Sequence, residues 1–243
     1  MRSVIIRRCD ADPVPSVLAS LAKIQRGSRG MPTTTDEKAI VHVVDDDASM
    51  RSALADLFDS VGLQTQTYAT ADAFLSGEVA NRPGCIVLDV RLPDMNGLEF
   101  QTRLIQTGVG IPVVMMTGFG DIPMSVHAMK RGAIDFLPKP FRDQDMLDAV
   151  MSAIERDRQR RIAEDDVSQL QQRFQSLSPR EQEVMLLVAT GKMNKQVAGD
   201  LGISEITVKI HRGAAMHKMG ARTLADLVRM ADAVKSERRK PAR

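Results

Sequence analysis

The chain has 243 residues, of which 43% are hydrophobic and 26% charged, a balance typical of folded domains and too apolar for wholesale disorder. No apolar run approaches the roughly 18 residues that a membrane-spanning helix needs, which excludes an integral membrane protein. Two cysteines are too few for a disulfide framework, so we expect a chain that works in a reducing compartment such as the cytoplasm.

Charge is unevenly divided along the sequence. Residues 40–150 carry 8 Lys and Arg against 15 Asp and Glu, whereas residues 178–243 carry 13 against 7. An acidic body joined to a basic C-terminal unit suggests two tasks on one chain, the second with a polyanion as partner. The alternative is chance unevenness between two surfaces.

The first 37 residues show no regular pattern of apolar residues. Their short apolar patch at 17–19 is too small for a secretory signal peptide. We interpret residues 1–37 as an extension that is either disordered or the product of a misplaced translation start, since Met31 opens a segment typical of an ordinary protein start.

Strands and helices alternate from residue 40 onward. Short apolar runs predict five strands, at 40–44, 63–67, 85–88, 113–116 and 136–137. Helical spacing predicts five helices, at 48–61, 71–76, 97–107, 124–131 and 142–154. This alternation predicts an α/β domain over residues 38–155, with a doubly wound, five-stranded parallel sheet.

The C-terminal part of the sequence is predicted to be all-helical. Mixed charge without Gly or Pro predicts a helical linker at 156–176, with a dimerising coiled coil as the alternative. Ser178, Pro179 and Glu181 together form a strong helix start. Four short helices follow in a domain of residues 177–236, at 179–189, 194–201, 205–219 and 224–233. Residues 237–243 form a separate charged tail after this domain.

Acidic residues follow two of the predicted strands: Asp45, Asp46 and Asp47 after the first, and Asp89 after the third. Because the carboxyl ends of parallel strands share one rim, we expect these carboxylates to converge, an arrangement that a hard cation such as Mg²⁺ relieves. Lys139 and Thr117 follow two further strands and would add a positive charge and a hydroxyl. Such a set suits phosphoryl transfer to a carboxylate, although Asp45 or Asp47 alone is equally well explained as a helix cap.

These motifs resemble the receiver domain of bacterial response regulators. The resemblance covers about residues 40–155 and rests on the segments 43–47 (VVDDD), 88–97 (LDVRLPDMNG), 116–118 (MTG) and 136–140 (FLPKP). The segment 118–133 is similar to the FixJ-like branch of nitrogen-fixation and nodulation regulators.

The resemblance to receiver domains implies a role for each residue of the acidic rim. Asp89 would accept a phosphoryl group from a phosphohistidine of a sensor histidine kinase. Asp46 would bind Mg²⁺ directly and Asp45 through water, with the backbone carbonyl of Arg91 and the Asp89 carboxylate as further ligands. Lys139, followed by a cis bond to Pro140, would pair with the phosphoryl oxygens.

The same resemblance implies a switch. Thr117 would move to hydrogen-bond the phosphoryl group, and Phe136 would move inward behind it. The altered face would then form a homodimer through Met124, Val126, His127, Lys130 and Arg131.

Residues 178–219 show the plan of a helix-turn-helix, two helices joined by a tight turn at 201–203. Taken alone, the pattern fits a small helical bundle with solvated lysines equally well. The segments 177–184, 194–198 and 203–211 resemble the LuxR-type helix-turn-helix of transcription factors, a similarity that spans residues 174–235.

This second resemblance implies that residues 205–219 lie in the major groove of double-stranded promoter DNA. Lys209, Ile210 and Arg212 would contact bases or phosphates, while Thr207 and Lys195 would anchor phosphates.

The sequence as a whole predicts a response regulator that dimerises on phosphorylation and binds promoters. RNA polymerase would be a further partner, and the outcome would be activation of nodulation, nitrogen-fixation or aromatic-response genes. An Asp-dependent phosphatase is disfavoured, because Arg91 stands where that chemistry needs a second acid. A phosphate-storing protein whose helical unit binds another protein is the third hypothesis.

Overall fold

The computed structural model describes residues 38–77, 80–118, 129 and 132–238. These residues form two compact units, 38–162 and 163–238. The predicted extension at 1–37 and most of the predicted helix at 124–131 lie outside the described residues. Among the helices that are described, none has a stretch long and apolar enough to cross a bilayer.

The first unit contains the predicted five-stranded parallel sheet, which confirms the fold class. Its strands run in the spatial order β2-β1-β3-β4-β5, and their bounds are β1 Ile40–Val44, β2 Gln64–Tyr68, β3 Gly84–Asp89, β4 Val113–Thr117 and β5 Asp135–Pro138. Val44 pairs with Leu88, and Asp89 pairs with Met116. The central strands therefore end at one common rim.

Helices cover both faces of this sheet: α1 Ala48–Ser60, α2 Ala71–Leu75, α3 Gly97–Gln106 and the first part of α4 Asp143–Gln175. Every residue of β1, β3 and β4 is buried, as expected of parallel strands covered on both sides. Neighbouring residues of β1 divide between two cores, since Val43 packs with Phe58 and Met146 whereas Val44 packs in the cluster of Phe100.

A buried carboxylate attaches α4 to the amino end of β3. Asp157 is fully buried and accepts a hydrogen bond from the backbone N–H of Gly84 at 3.0 Å. The guanidinium groups of Arg160 and Arg161 donate to the same carboxylate at 2.7 and 2.8 Å. Arg161 also donates to the side chain of Asn81 at 2.6 Å, so one turn of the helix is fastened to the segment that enters β3.

A buried histidine lies in the middle of β1. Nδ1 of His42 is 3.2 Å from the hydroxyl of Tyr68, and the ring packs edge-on against Phe74. Nε2 is buried without a hydrogen-bond partner among the described residues. Burial, and secondarily the charge of Arg82, lower the pKa of His42 to about 4.

The second unit contains the last part of α4 and four shorter helices: α5 Pro179–Val188, α6 Asn194–Leu201, α7 Glu205–Met219 and α8 Leu224–Arg238. Helix α5 begins where the sequence predicts, with a capping box in which the side chains of Ser178 and Glu181 each accept a hydrogen bond from the other's backbone N–H. The Glu181 carboxylate also accepts from Lys218 at 2.7 Å. Gly202 ends α6 with φ of 66°, a left-handed conformation that glycine adopts without strain.

Replacing Asp157 with Ala should destabilise the first unit by about 3 kcal/mol, because the Gly84 N–H and two guanidinium groups lose their common acceptor. Tyr68 is the single tyrosine and the chain has no tryptophan, so tyrosine fluorescence during urea unfolding monitors this unit. The matched control Glu155→Ala removes an exposed carboxylate 3.8 Å from Arg158 and should cost less than about 0.5 kcal/mol. Equal unfolding midpoints for the two variants would contradict a stabilising role for Asp157.

Stability of the first unit should also depend on pH through His42. Its folded pKa lies below the unfolded value of 6.5, so the unfolded state binds more protons between pH 6.5 and 4. Stability should therefore fall by about 2 kcal/mol from pH 7 to pH 5 on account of this residue. Tyr68 fluorescence should show a smaller fall for His42→Asn, and an equal fall in both proteins would exclude His42 as the cause.

Candidate functional site

Three carboxylates meet at the carboxyl rim of the sheet. One oxygen from each of Asp45, Asp46 and Asp89 lies within 4.8 Å of the others. Asp45 is fully buried, Asp89 is 7% exposed and Asp46 is open to solvent. So close a group of negative charges needs compensation, and its oxygen atoms are ligands that a hard divalent cation prefers.

Lys139 supplies part of that compensation. Its Nζ donates to Oδ2 of Asp45 and to Oδ2 of Asp89, both at 2.7 Å. Burial alone would lower the pKa of Lys139, but its hydrogen bonds and the charges of the two carboxylates raise that pKa above the usual value. Burial raises the pKa of Asp45, although the contact with Lys139 opposes the shift. The rim thus holds one ammonium group against three carboxyl groups.

The start of α1 orients the Asp45 carboxylate and the neighbouring backbone. The N–H of Asp47 donates to Oδ1 of Asp45 at 2.8 Å, while the Asp47 side chain caps α1 by accepting from Ser49 and Met50. Arg51 donates to the carbonyls of Asp45 and Asp46 at 2.7 and 2.9 Å. Sequence reasoning did not predict this role of Arg51. The sequence offers one indication of it, which is that Arg51 is a basic residue one turn into the helix that follows the acidic run.

The loop after β3 is fixed by close backbone packing. The N–H of Arg91 donates to Oδ1 of Asp89 at 3.1 Å, and the N–H of Gly97 donates to the carbonyl of Val90 at 2.8 Å. A Cβ at position 97 would lie 2.8 Å from the Asp89 carbonyl oxygen, so a side chain there would displace the loop. Glycine at this position therefore keeps α3 against the residues that surround Asp89.

The ends of β4 and β5 bring two more of the predicted residues to the rim. Thr117 is 1% exposed, and its carbonyl accepts from the N–H of Lys139 at 2.6 Å. The bond between Lys139 and Pro140 is cis, as predicted. Phe136 is half-buried against the apolar cluster that contains Met115. The predicted dimer-face residues lie outside the described part of the chain: Met124, Val126, His127, Lys130 and Arg131.

Helices α6 and α7 form a helix-turn-helix in the second unit. Ser204 caps α7, and its hydroxyl lies 2.8 Å from the hydroxyl of Thr207. Lys209 and Ile210 are exposed on α7, and Lys195 is exposed in the first turn of α6. These side chains are accessible to a partner.

Arg212 makes a contact within this unit. Its guanidinium donates to Oδ1 of Asn194 at 3.1 Å and is half-buried. Arg212 therefore ties α7 to the start of α6. Sequence reasoning missed Asn194 in this role, because the pairing spans 18 residues and depends on the crossing of the two helices.

The sequence matches two family models. Residues 41–151 match the response regulator receiver domain, and residues 175–231 match the LuxR family of bacterial regulatory proteins.

Similar proteins cover about four fifths of this chain. Nodulation protein W of Bradyrhizobium diazoefficiens is 56% identical over 204 residues, which cover 84% of this chain and 90% of that protein. Transcriptional regulatory protein FixJ of Rhizobium meliloti is 41% identical over 191 residues, 79% of this chain and 94% of that protein. The solved structure of the response regulator StyR is 48% identical in sequence and has a TM-score of 0.72. The match covers 80% of this chain and 98% of the StyR chain.

A parallel sheet with an acidic rim, followed by a helix-turn-helix, defines a regulator with a signal-receiving and a DNA-binding domain, rather than a classical enzyme. The chain belongs to the response regulators of two-component systems, in the group whose receiver domain precedes a LuxR-type helix-turn-helix domain. This architecture implies a kinase and DNA as partners.

Proposed function

We propose that the protein is a phosphorylation-controlled transcription factor in which Asp89 is the phosphoacceptor. The observation that carries the proposal is the placement of its carboxylate, held by the Arg91 N–H on one oxygen and by Lys139 on the other. An oxygen of Asp89 would attack the phosphorus of a phosphohistidine on a partner kinase. The phosphorus–nitrogen bond would break, and the electron pair would leave with the histidine nitrogen.

The donor set of the rim fits Mg²⁺. Asp46 is open to solvent and would bind the ion directly, whereas the buried Asp45 would act through water. The Asp89 carboxylate and the backbone carbonyl of Arg91 would complete the protein ligands. A bound Mg²⁺ would neutralise charge on the transferring phosphoryl group.

Phosphorylation would change the partners of Lys139. A phosphoryl group adds about −1.5 to −2 charge and three acceptor oxygens, so the ammonium group would exchange the Asp89 carboxylate for a phosphoryl oxygen. Thr117, at the end of the adjacent strand, would donate a hydrogen bond from its hydroxyl to a second phosphoryl oxygen. Phe136 would then move inward behind Thr117. These exchanges favour one of two arrangements of the rim, which is how a local charge becomes a switch.

The switched state would dimerise through the face that contains Met124 and His127. Two linked helix-turn-helix domains would then bind paired half-sites far more tightly than one. We propose activation of transcription through RNA polymerase as the outcome. The 56% identity to a nodulation protein favours nodulation genes over nitrogen-fixation or aromatic-response genes as the targets.

The substitution Asp89→Asn should abolish phosphorylation by acetyl phosphate and Mg²⁺, because an amide cannot form the acyl phosphate. Intact-mass measurement detects the added phosphoryl group. Asp47→Asn is the matched control, since Asp47 belongs to the same acidic run but caps α1, a position where Asn serves as well as Asp. Phosphorylation of Asp89→Asn at the wild-type level would refute the assignment.

The substitution Lys209→Ala should weaken DNA binding and lower the salt dependence of the binding constant by about one counterion. Lys192→Ala removes an equal charge that is paired with Asp200 outside α7, and should change DNA affinity little. Fluorescence anisotropy with labelled duplex DNA over a range of salt concentrations measures both quantities. DNA binding that does not respond to salt would contradict a phosphate-contacting surface.

A further inference from the structure

We infer that Ile206 and Ile210 read thymine methyl groups and thereby determine which bases the helix-turn-helix selects, an inference that rests on the proposed DNA-binding function. Ile206 is 70% exposed and Ile210 is 64% exposed. They are four residues apart in α7, so they lie on the same face of the helix, one turn from each other.

Neither isoleucine is needed for the packing of its own domain. The inner face of α7 is supplied by Val208, Ala215 and Met219, all fully buried. Ser204 already caps the helix. Leaving two large β-branched side chains in water has no folding benefit, which points to a ligand that covers them.

The charge beside the isoleucines favours DNA over a protein as that ligand. Lys209 lies between them in sequence and is exposed. The cores of protein interfaces are depleted of charge, whereas a nucleic-acid surface offers phosphates to an ammonium group. Gly213, on the next turn of the same face, has nothing within 4 Å of a Cβ position, so the helix backbone can approach a groove closely there.

Thymine is the base that such a pair would select. In the major groove it alone presents a methyl group, and apolar side chains contact that methyl. Four residues of α-helix advance about 6 Å, close to two base-pair steps of about 3.4 Å each. We therefore expect each half-site to contain two thymines roughly two base pairs apart.

The test begins with selection of duplexes from a randomised DNA pool by the full-length protein, in Mg²⁺ and beryllium fluoride. Each thymidine of a selected duplex is then replaced by deoxyuridine, which removes the methyl group and leaves base pairing intact. At two positions per half-site, this replacement should weaken binding about fourfold, the loss expected for one buried methyl group.

Two variants assign each methyl to its side chain. Ile206→Ala should abolish the effect of deoxyuridine at one of the two positions, and Ile210→Ala should abolish it at the other. Ile105→Ala is the matched control, because Ile105 is 60% exposed in the first unit, and this variant should retain both effects. Circular dichroism should show unchanged helix content, since Ala favours a helix more than Ile does.

Full methyl sensitivity in both α7 variants, or no sensitivity to deoxyuridine at any position, would overturn the inference while the DNA-binding function stood. Failure of the protein to select any duplex would overturn the proposed function and the inference with it.

Discussion

The ammonium group of Lys139 holds together two carboxylates, Asp45 and Asp89, that otherwise repel each other across the rim of the sheet. These contacts join residues 94 and 50 positions apart in sequence, so they exist only when the sheet brings the ends of β1, β3 and β5 to one rim. A negative group added to Asp89 must compete for the same ammonium. The charge balance that stabilises the resting rim is therefore also what would make it responsive to phosphorylation.

The surrounding structure keeps this balance in place by fixing both ends of β3. At the carboxyl end, Gly97 lets α3 begin directly against the Asp89 backbone. At the amino end, Asp157 receives the N–H of Gly84 together with two arginines of its own helix. If the rim exchanges hydrogen bonds in response to one added charge, as proposed, a strand that is fixed at both ends confines the change to the rim.

Most of the fold could be predicted from the sequence, because short apolar runs alternate with segments of helical spacing. The position of the site followed from the rule that the carboxyl ends of parallel strands share one rim. That rule placed Asp45 and Asp89 together. It could not identify the pairing of Arg212 with Asn194, which depends on how two helices cross. Asp157 was also missed, since it lies in a run of mixed charge and charge runs are usually solvated. Its burial depends on the N–H of Gly84, 73 residues away.

In the proposed mechanism, a phosphoryl group on Asp89 controls assembly of the protein. The most direct test is the solution mass of the full-length protein in Mg²⁺, measured by sedimentation with and without beryllium fluoride, which mimics an aspartyl phosphate. We expect a dimer with beryllium fluoride for the wild-type protein, and a monomer for Asp89→Ala under both conditions. A wild-type protein that stays monomeric in beryllium fluoride, or an Asp89→Ala variant that dimerises like the wild type, would contradict control of assembly by Asp89.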